Sequence, residues 1–255
     1  MKVMKFGGTS VGSPDRMKNV ASLITESGDP TFVVLSAMSG TTNSLIEISN
    51  YLYKKNPDGA NEVINTLEKK YMQHVEELYS TDEYKEKTRE FLREEFKYMR
   101  SFTKDIFTSF EEKSIVAQGE IMSTNMVLNY LQEQGIKATL LSAFDFMRTD
   151  KNAEPDAQYI KEKLTAIMTE NEGYQIYITQ GFICLNAYGE IDNLQRGGSD
   201  FTASLIGVAL GAEEIQIWTD IDGMHNNDPR IVDETDAIRQ LNFEEAAELA
   251  YFGAK

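Results

Sequence analysis

The chain has 255 residues, 41% of them hydrophobic, and a formal net charge of −16 from 25 Lys and Arg against 41 Asp and Glu. This composition is sufficient for a globular core, and its acidity argues against a nucleic-acid partner, which needs clustered Lys and Arg. No apolar run approaches the roughly 18 residues of a membrane-spanning helix, and the opening MKVMKFGG is too short for a signal peptide, so we expect no membrane association.

Short apolar runs alternate with longer stretches of helical periodicity, which is typical of βαβ units around a mostly parallel sheet. The predicted buried strands are residues 3–6, 31–35, 137–141, 175–179 and 214–218, with a short hairpin at 181–194. The predicted helices are 14–27, 43–55, 114–134, 156–171, 200–210 and 243–252. The sequence therefore predicts an α/β protein.

Residues 57–113 are rich in charges of both signs and carry apolar side chains at helical spacing. This pattern predicts a pair of amphipathic helices inserted into the sheet domain. A solvated helical cover is the simplest interpretation, and an oligomer contact or a lid is the alternative.

The first motif that could bind a ligand or take part in catalysis follows the first strand and contains Lys5, Gly7 and Gly8. Glycines allow a backbone to approach a ligand, and the following helix start offers N–H groups to an anion. The motif is not a Walker A loop, because Ser13 stands where Lys is required, and Thr9 excludes a dinucleotide fingerprint. The glycines alone also fit a tight turn without ligand, but Lys5 favours phosphate.

The second motif, Ser-Ala-Met-Ser-Gly-Thr-Thr-Asn at residues 36–43, follows the second strand. Its hydroxyl groups lie where open α/β sheets bind ligands. The alternative is ordinary loop chemistry, with Thr42 or Asn43 as the N-cap of the next helix.

A third motif places Gly119 inside a predicted helix, beside Glu120. A glycine inside a helix costs about 1 kcal/mol relative to alanine, which calls for a packing or ligand explanation. Glu120 could meet a cationic group, although a surface position is the simpler expectation.

The fourth motif, Gln-Arg-Gly-Gly-Ser-Asp at residues 195–200, opens a helix that is apolar on nearly every side and is therefore expected to be buried. Arg196 offers a planar fork for a carboxylate or phosphate, and the two glycines with the helix start suggest an anion site. Asp200 could instead complement the helix dipole.

The remaining features are weaker. Residues 218–230 form a turn-rich segment that could wrap a nucleotide, with Arg230 reaching phosphate, and Lys255 comes two residues after Gly253. With only His74, His225 and one cysteine, a structural metal site is not expected. The single Cys184 cannot form an internal disulfide, which predicts a cytoplasmic protein.

Taken in order, the segments KFGGTSV, LSAMSGTTN, QGE, RGGSD, WTDIDG, NDPR and FGAK resemble the aspartate kinases of the amino acid kinase family. The resemblance implies a three-layer αβα sandwich around an open, mostly parallel sheet. It also implies ATP-dependent phosphorylation of the side-chain carboxylate of L-aspartate to 4-phospho-L-aspartate, with Mg²⁺, early in lysine, threonine and methionine biosynthesis. A homodimer is compatible with it.

The resemblance also implies roles for individual residues. Lys5 and Asp200 would be catalytic, with Asp200 orienting the lysines near the phosphates. Aspartate contacts are implied for Ser36, Thr42, Glu120, Phe182, Arg196 and Ser199. Nucleotide contacts are implied for Lys5, Gly7, Gly8, Thr219, Asp220, His225, Arg230 and Lys255.

Two departures from the family pattern stand out. His225 replaces a common tyrosine, and the family's catalytic domain normally continues beyond a point equivalent to Lys255, often into ACT domains. Residues 1–255 are therefore expected to be a C-terminally truncated catalytic domain. The alternatives are another amino acid kinase, such as a glutamate 5-kinase, or a nucleotide-binding fragment without turnover.

Overall fold

A computed structural model describes residues 1–104, 106–194 and 197–254. The chain divides into two units, Met1–Trp218 and Thr219–Lys255. The strands, all in the first unit, are β1 (Lys2–Phe6), β2 (Thr31–Leu35), β3 (Ala138–Leu140), β4 (Ile176–Gln180), β5 (Ile183–Leu185), β6 (Ile191–Asn193) and β7 (Glu214–Trp218). The helices of that unit are α1 (Pro14–Thr25), α2 (Thr41–Tyr53), α3 (Pro57–Leu78), α4 (Asp82–Ser101), α5 (Ser109–Glu133), α6 (Ala143–Phe146), α7 (Ala157–Glu170) and α8 (Gly198–Leu210). The second unit contains α9 (Phe243–Tyr251).

The central sheet has the strand order β3-β4-β2-β1-β7, and every neighbouring pair is parallel. Strands β5 and β6 form the predicted antiparallel hairpin. Phe6 pairs with Leu35 at the ends of β1 and β2, so the segments that follow these strands leave the same edge of the sheet. This edge is where open α/β sheets bind ligands.

Helices cover both faces of the sheet. Phe6 and Leu35 belong to one buried cluster, to which α1 to α5 contribute, whereas Val3 and Val34 belong to a second cluster with residues of α7 and α8. The alternation along each strand thus places helices on both sides of the sheet, and the predicted three-layer αβα architecture is confirmed. No helix in the described ranges is both long enough and apolar enough to cross a bilayer.

The two amphipathic helices predicted at 57–113 are present as α3 and α4, although the last residues of that range belong to α5. Helix α5 begins early because Thr108 and Glu111 form a capping box. The pair is more than a solvated cover, since the fully buried Tyr71 and Phe96 pack edge to face with ring centroids 5.8 Å apart. These helices therefore contribute to the main core.

Three local predictions are wrong. Helix α2 begins at Thr41 after Gly40, whose φ of +82° is left-handed, so neither Thr42 nor Asn43 caps it. Strand β7 is largely exposed, because it lies at the edge of the sheet and pairs only with β1 in the described part of the chain. Helix α8 is only half buried: Ala203 is inaccessible, but Val208 is 77% exposed.

Candidate functional site

A cavity of about 480 Å³ opens at the carboxyl edge of the sheet, beyond the ends of β1 and β2. Its described lining comprises Lys5, Gly8, Thr9, Ser36, Ala37, Met38, Ser39, Gly40, Thr42, Asn43, Glu120, Phe182, Gly197, Gly198, Ser199 and Asp200. The structure thus gathers four of the sequence motifs, which lie far apart in the chain, around one space. The predicted site residues among them are Lys5, Gly8, Ser36, Thr42, Glu120, Phe182, Ser199 and Asp200.

The segments after β1 and β2 are joined directly by their backbones. The Ser39 N–H donates to the Gly8 carbonyl at 3.0 Å. A Cβ at Gly8 would stand 2.7 Å from the Ala37 carbonyl oxygen, so only glycine permits this approach. The glycine predicted to allow close backbone contact does so with a second loop of the same chain.

Two helices, α2 and α8, begin at the cavity with glycine N-caps, Gly40 and Gly197, and no side chain caps either start. By contrast, the Ser13 side chain caps α1, accepting from Arg16 N–H at 3.4 Å. A helix start without a side-chain cap presents N–H groups and the positive end of its dipole to an anion. This edge of the cavity can therefore hold a phosphate or carboxylate.

Lys5 is the only cationic side chain in the described lining, and its Nζ lies 2.6 Å from Asp200 Oδ1. The lysine side chain is 12% exposed, so Asp200 holds the ammonium at a defined place on the cavity wall. Gly7 is not in the lining, but a Cβ there would lie 3.5 Å from Lys5 Nζ. This arrangement matches the orienting role predicted for Asp200, which stays a prediction.

Glu120 is 4% exposed, so the expectation of a surface glutamate is wrong. Its Oε1 accepts from the Ala37 N–H at 3.2 Å, whereas its buried Oε2 has no hydrogen-bond partner within the described residues. Burial raises the pKa of Glu120 to about 8. A buried, unpaired carboxyl oxygen beside a cavity is suited to an ammonium group, which would stabilise its charged form.

Gly119 explains how Glu120 reaches this place. A Cβ on Gly119 would stand 2.7 Å from the Ala37 Cβ and 3.3 Å from Leu45 Cδ1. The glycine inside α5 therefore has a packing function, because it lets the helix approach the 36–43 segment closely enough for the bond between Glu120 and Ala37.

Hydroxyl groups from two motifs meet across the cavity. Ser36 Oγ donates to Ser199 Oγ at 2.9 Å, and the Ser36 carbonyl accepts from Ser123 Oγ at 2.8 Å. A Cβ at Gly181 would lie 2.5 Å from Ser199 Oγ, so α8 packs closely on the turn after β4. These hydroxyls can exchange their mutual bond for bonds to a polar ligand.

Phe182 adopts a φ of +69°, a left-handed conformation that is unfavourable for an aromatic residue. Its N–H donates to Thr202 Oγ1 at 3.1 Å, and its carbonyl accepts from Leu194 N–H at 2.7 Å. The Thr202 hydroxyl in turn donates to the Gly198 carbonyl at 2.7 Å. Thr202 thus holds a strained residue of the cavity wall, a role that nothing in the sequence indicated.

Several predicted site residues are not part of this cavity lining. Thr219, Asp220, His225 and Arg230 belong to the second unit, so their nucleotide contacts stay predictions. In that unit His225 Nε2 lies 2.6 Å from Asp222 Oδ1, and Arg230 Nη2 lies 2.6 Å from Asp228 Oδ2. Arg196 and Lys255 lie outside the described residues.

The donor set at the cavity fits a nucleotide phosphate with a magnesium ion. Lys5 and the two helix starts suit the phosphate oxygens. Magnesium is usually held by one or two carboxylates together with substrate phosphates, and Asp200 is the side chain of the lining that lies beside Lys5 and could supply such a ligand.

Known proteins resemble this chain over nearly its whole length. The model of the amino acid kinase family matches residues 1–255. The chain is 34% identical to lysine-sensitive aspartokinase 3 of Escherichia coli over 258 residues, which are 99% of this chain and 56% of the relative. It is 35% identical to the chloroplastic aspartokinase 1 of Arabidopsis thaliana, covering 99% of this chain and 46% of the relative.

The fold is similar as well. The crystal structure of E. coli aspartokinase III in complex with aspartate and ADP superposes with a TM-score of 0.86 at 32% identity, covering 98% of this chain and 56% of that one. The chain therefore spans about half the length of the curated relatives it matches.

The close approach at Gly119 predicts that Gly119→Ala destabilises the protein, although alanine is the better helix former. Overpacking costs about 1–3 kcal/mol, whereas the gain in helix propensity is about 1 kcal/mol. We expect a net loss of up to about 2 kcal/mol in the free energy of unfolding, measured by urea denaturation. A gain in stability at Gly119 would contradict the packing argument.

The buried Glu120 predicts a stability that falls as pH rises. Its pKa of about 8 in the folded protein exceeds the ordinary value of 4.5, so the folded state keeps a proton that the unfolded chain releases. The free energy of unfolding relative to Glu120→Gln should be highest below pH 4.5 and decrease up to about pH 8, with a slope approaching 1.4 kcal/mol per pH unit. Urea titrations at pH 5, 6, 7 and 8 measure the difference, and the exposed Glu170→Gln controls for the lost charge. A constant difference between wild type and Glu120→Gln would show that Glu120 titrates normally.

Proposed function

The chain belongs to the amino acid kinase family, and on that premise we propose that it transfers the γ-phosphoryl group of ATP to the side-chain carboxylate of L-aspartate. The product would be 4-phospho-L-aspartate, and residues 1–255 would form the catalytic domain or most of it. A cytoplasmic location and a homodimer belong to the same proposal.

One observation carries the proposal: a lysine, two helix starts without side-chain caps and a buried carboxyl group border the same cavity. The first three suit anionic oxygens, and the carboxyl group suits an ammonium. Together they match an anionic amino acid placed beside a phosphate chain. Among amino acids, aspartate is favoured by the identity to aspartokinases and by the relative crystallised with aspartate and ADP.

Recognition of aspartate would depend on Glu120. Because the pKa of this carboxyl group is about 8, it is mostly protonated at neutral pH in the ligand-free site. The arriving ammonium stabilises the carboxylate, so Glu120 releases its proton and forms a buried ion pair. Ser36 and Ser199 supply hydroxyls at the same wall. Arg196 is proposed for the α-carboxylate on the basis of the resemblance alone.

The transfer step requires two anions, a carboxylate and a phosphoryl group, to approach against their mutual repulsion. Lys5 and the N–H groups at the starts of α2 and α8 would stabilise the negative charge on the phosphoryl oxygens. Asp200 keeps the Lys5 ammonium in place, and bound Mg²⁺ would neutralise further phosphate charge. No covalent bond to the protein is needed, because positioning and electrostatics supply the catalysis.

We expect aspartate-dependent release of ADP from ATP and Mg²⁺, measured with a coupled assay on the intact protein. Lys5→Ala should lower kcat by about 100-fold or more, because the preorganised positive charge that stabilises the transferred phosphoryl group is lost. The affinity for aspartate should change less than threefold. Lys2→Ala is the matched control, since Lys2 lies on the same strand and pairs with Glu214.

The outcomes separate the alternatives. Turnover with L-glutamate in place of L-aspartate would indicate a different amino acid kinase. ATP binding without any ADP production from either amino acid would indicate a nucleotide-binding protein without turnover. Wild-type kcat in Lys5→Ala would remove Lys5 from the phosphoryl site.

Aspartate binding should release nearly one proton at pH 7, because Glu120 passes from mostly protonated to ionised. Isothermal titration calorimetry in buffers of different ionisation enthalpy measures the number of protons. Glu120→Gln should abolish the release, and succinate, which lacks the ammonium, should release none. Equal proton release by aspartate and succinate would contradict the pairing of Glu120 with the ammonium.

A further inference from the structure

Helix α3, the first helix of the insertion, contacts the segment 36–43 at two neighbouring points; we call this segment the substrate loop. Lys70 Nζ donates to the Ser39 carbonyl at 3.0 Å. The Tyr71 hydroxyl lies 3.0 Å from Thr41 Oγ1. The two contacts stand on either side of Gly40, the N-cap residue of α2.

The Tyr71 contact is completely enclosed. Tyr71 and Thr41 are both 0% exposed, and Phe96 of α4 packs against the Tyr71 ring. Burial raises the pKa of Tyr71 above its ordinary value, so the hydroxyl remains neutral. Water cannot replace a bond lost here without entering the core, which makes the position of Thr41 depend on the tyrosine.

Thr41 transmits this contact to the cavity. A Cβ on Gly119 would stand 3.5 Å from Thr41 Cγ2, so the threonine methyl packs against α5 next to Glu120. Thr42, the following residue, lines the cavity, as does Ser39 on the other side of Gly40. A shift of Thr41 would therefore move groups on two sides of the cavity.

The local chemistry explains why such support is needed. Gly40 has no side chain, so it can neither cap α2 nor fix its own left-handed φ of +82° through a hydrogen bond. The start of α2 can bind an anion only if its N–H groups stay available, so its position must be fixed by other residues.

We propose that Lys70 and Tyr71 are positioning residues that hold the substrate loop in its aspartate-binding conformation. The inserted helices then serve the reaction through this loop rather than as a cover. This inference rests on the proposed function, because it assigns the substrate loop to aspartate.

The test is steady-state kinetics of Tyr71→Phe and Lys70→Met in the intact protein. Each variant removes one contact and keeps most of the side-chain volume. We expect the aspartate KM to rise about 3- to 10-fold, with kcat and the ATP KM changed less than twofold. Lys70→Arg should restore a donor and most of the aspartate affinity.

Matched controls separate positioning from stability. Tyr79→Phe removes another buried tyrosine hydroxyl, which donates to the Met126 carbonyl at 2.7 Å and does not contact the substrate loop. Lys69→Met removes the exposed neighbouring charge on α3. Tyr79→Phe should lower the melting temperature about as much as Tyr71→Phe while leaving the aspartate KM unchanged. An equal rise in KM for Tyr71→Phe and Tyr79→Phe would overturn the proposal.

Hydrogen exchange distinguishes the failure of this inference from failure of the proposed function. Amides of residues 36–43 should exchange faster in Tyr71→Phe than in wild type or Tyr79→Phe, whatever the substrate is. Faster exchange in Tyr71→Phe, together with no aspartate turnover by the wild type, would refute the proposed function. The conclusion that Tyr71 holds the substrate loop would then still stand. Unchanged exchange and unchanged KM in an active enzyme would refute the positioning role.

Discussion

The cavity depends on the close approach of three backbone segments around Ala37. On one side, Gly8 leaves its carbonyl free to accept from Ser39 N–H. On the other, Gly119 brings α5 near enough for Glu120 to accept from the Ala37 N–H. A methyl group at either glycine would collide with the Ala37 segment, so the two positions are constrained together. Glu120 and the segment 36–43 take their relative positions from this contact.

The electrostatics of the site differ from those of the molecule. The chain carries −16 overall, and within the described lining the Lys5 charge is matched by Asp200. Two features nevertheless suit anions. Backbone N–H groups at α2 and α8 contribute positive potential without adding a side chain, and burial keeps Glu120 mostly neutral until a cation arrives. In the proposed function, the site therefore takes its positive potential from the backbone and from Lys5, and the charge of Glu120 appears only when an ammonium binds.

Those features of the fold and site that depend on local sequence patterns could be predicted from the sequence. The strands, the inserted helices and the ligand motifs follow from apolar spacing and glycine placement, and their positions at one edge follow from parallel strand order. The pattern did not show which apolar surfaces are covered, so β7 and α8 were predicted to be more buried than they are. Nor did it indicate that Glu120 is enclosed or that Tyr71 meets Thr41, 30 residues away, because such contacts arise only when helices pack.

A general consequence concerns helix starts that bind anions. The capped helix α1 is fixed by its own Ser13, whereas α2 and α8 begin at glycines that cannot fix them. A buried hydroxyl lies at each of these starts: Tyr71 of α3 bonds to Thr41 at the start of α2, whereas Thr202 of α8 itself donates to Gly198 and accepts from the N–H of the strained Phe182. A helix start whose N–H groups stay available for a ligand has no side-chain cap, so tertiary contacts must fix the orientation of that helix start. In the proposed function, Tyr71 and Thr202 are therefore needed for anion binding at these helix starts as much as Gly40 and Gly197 are.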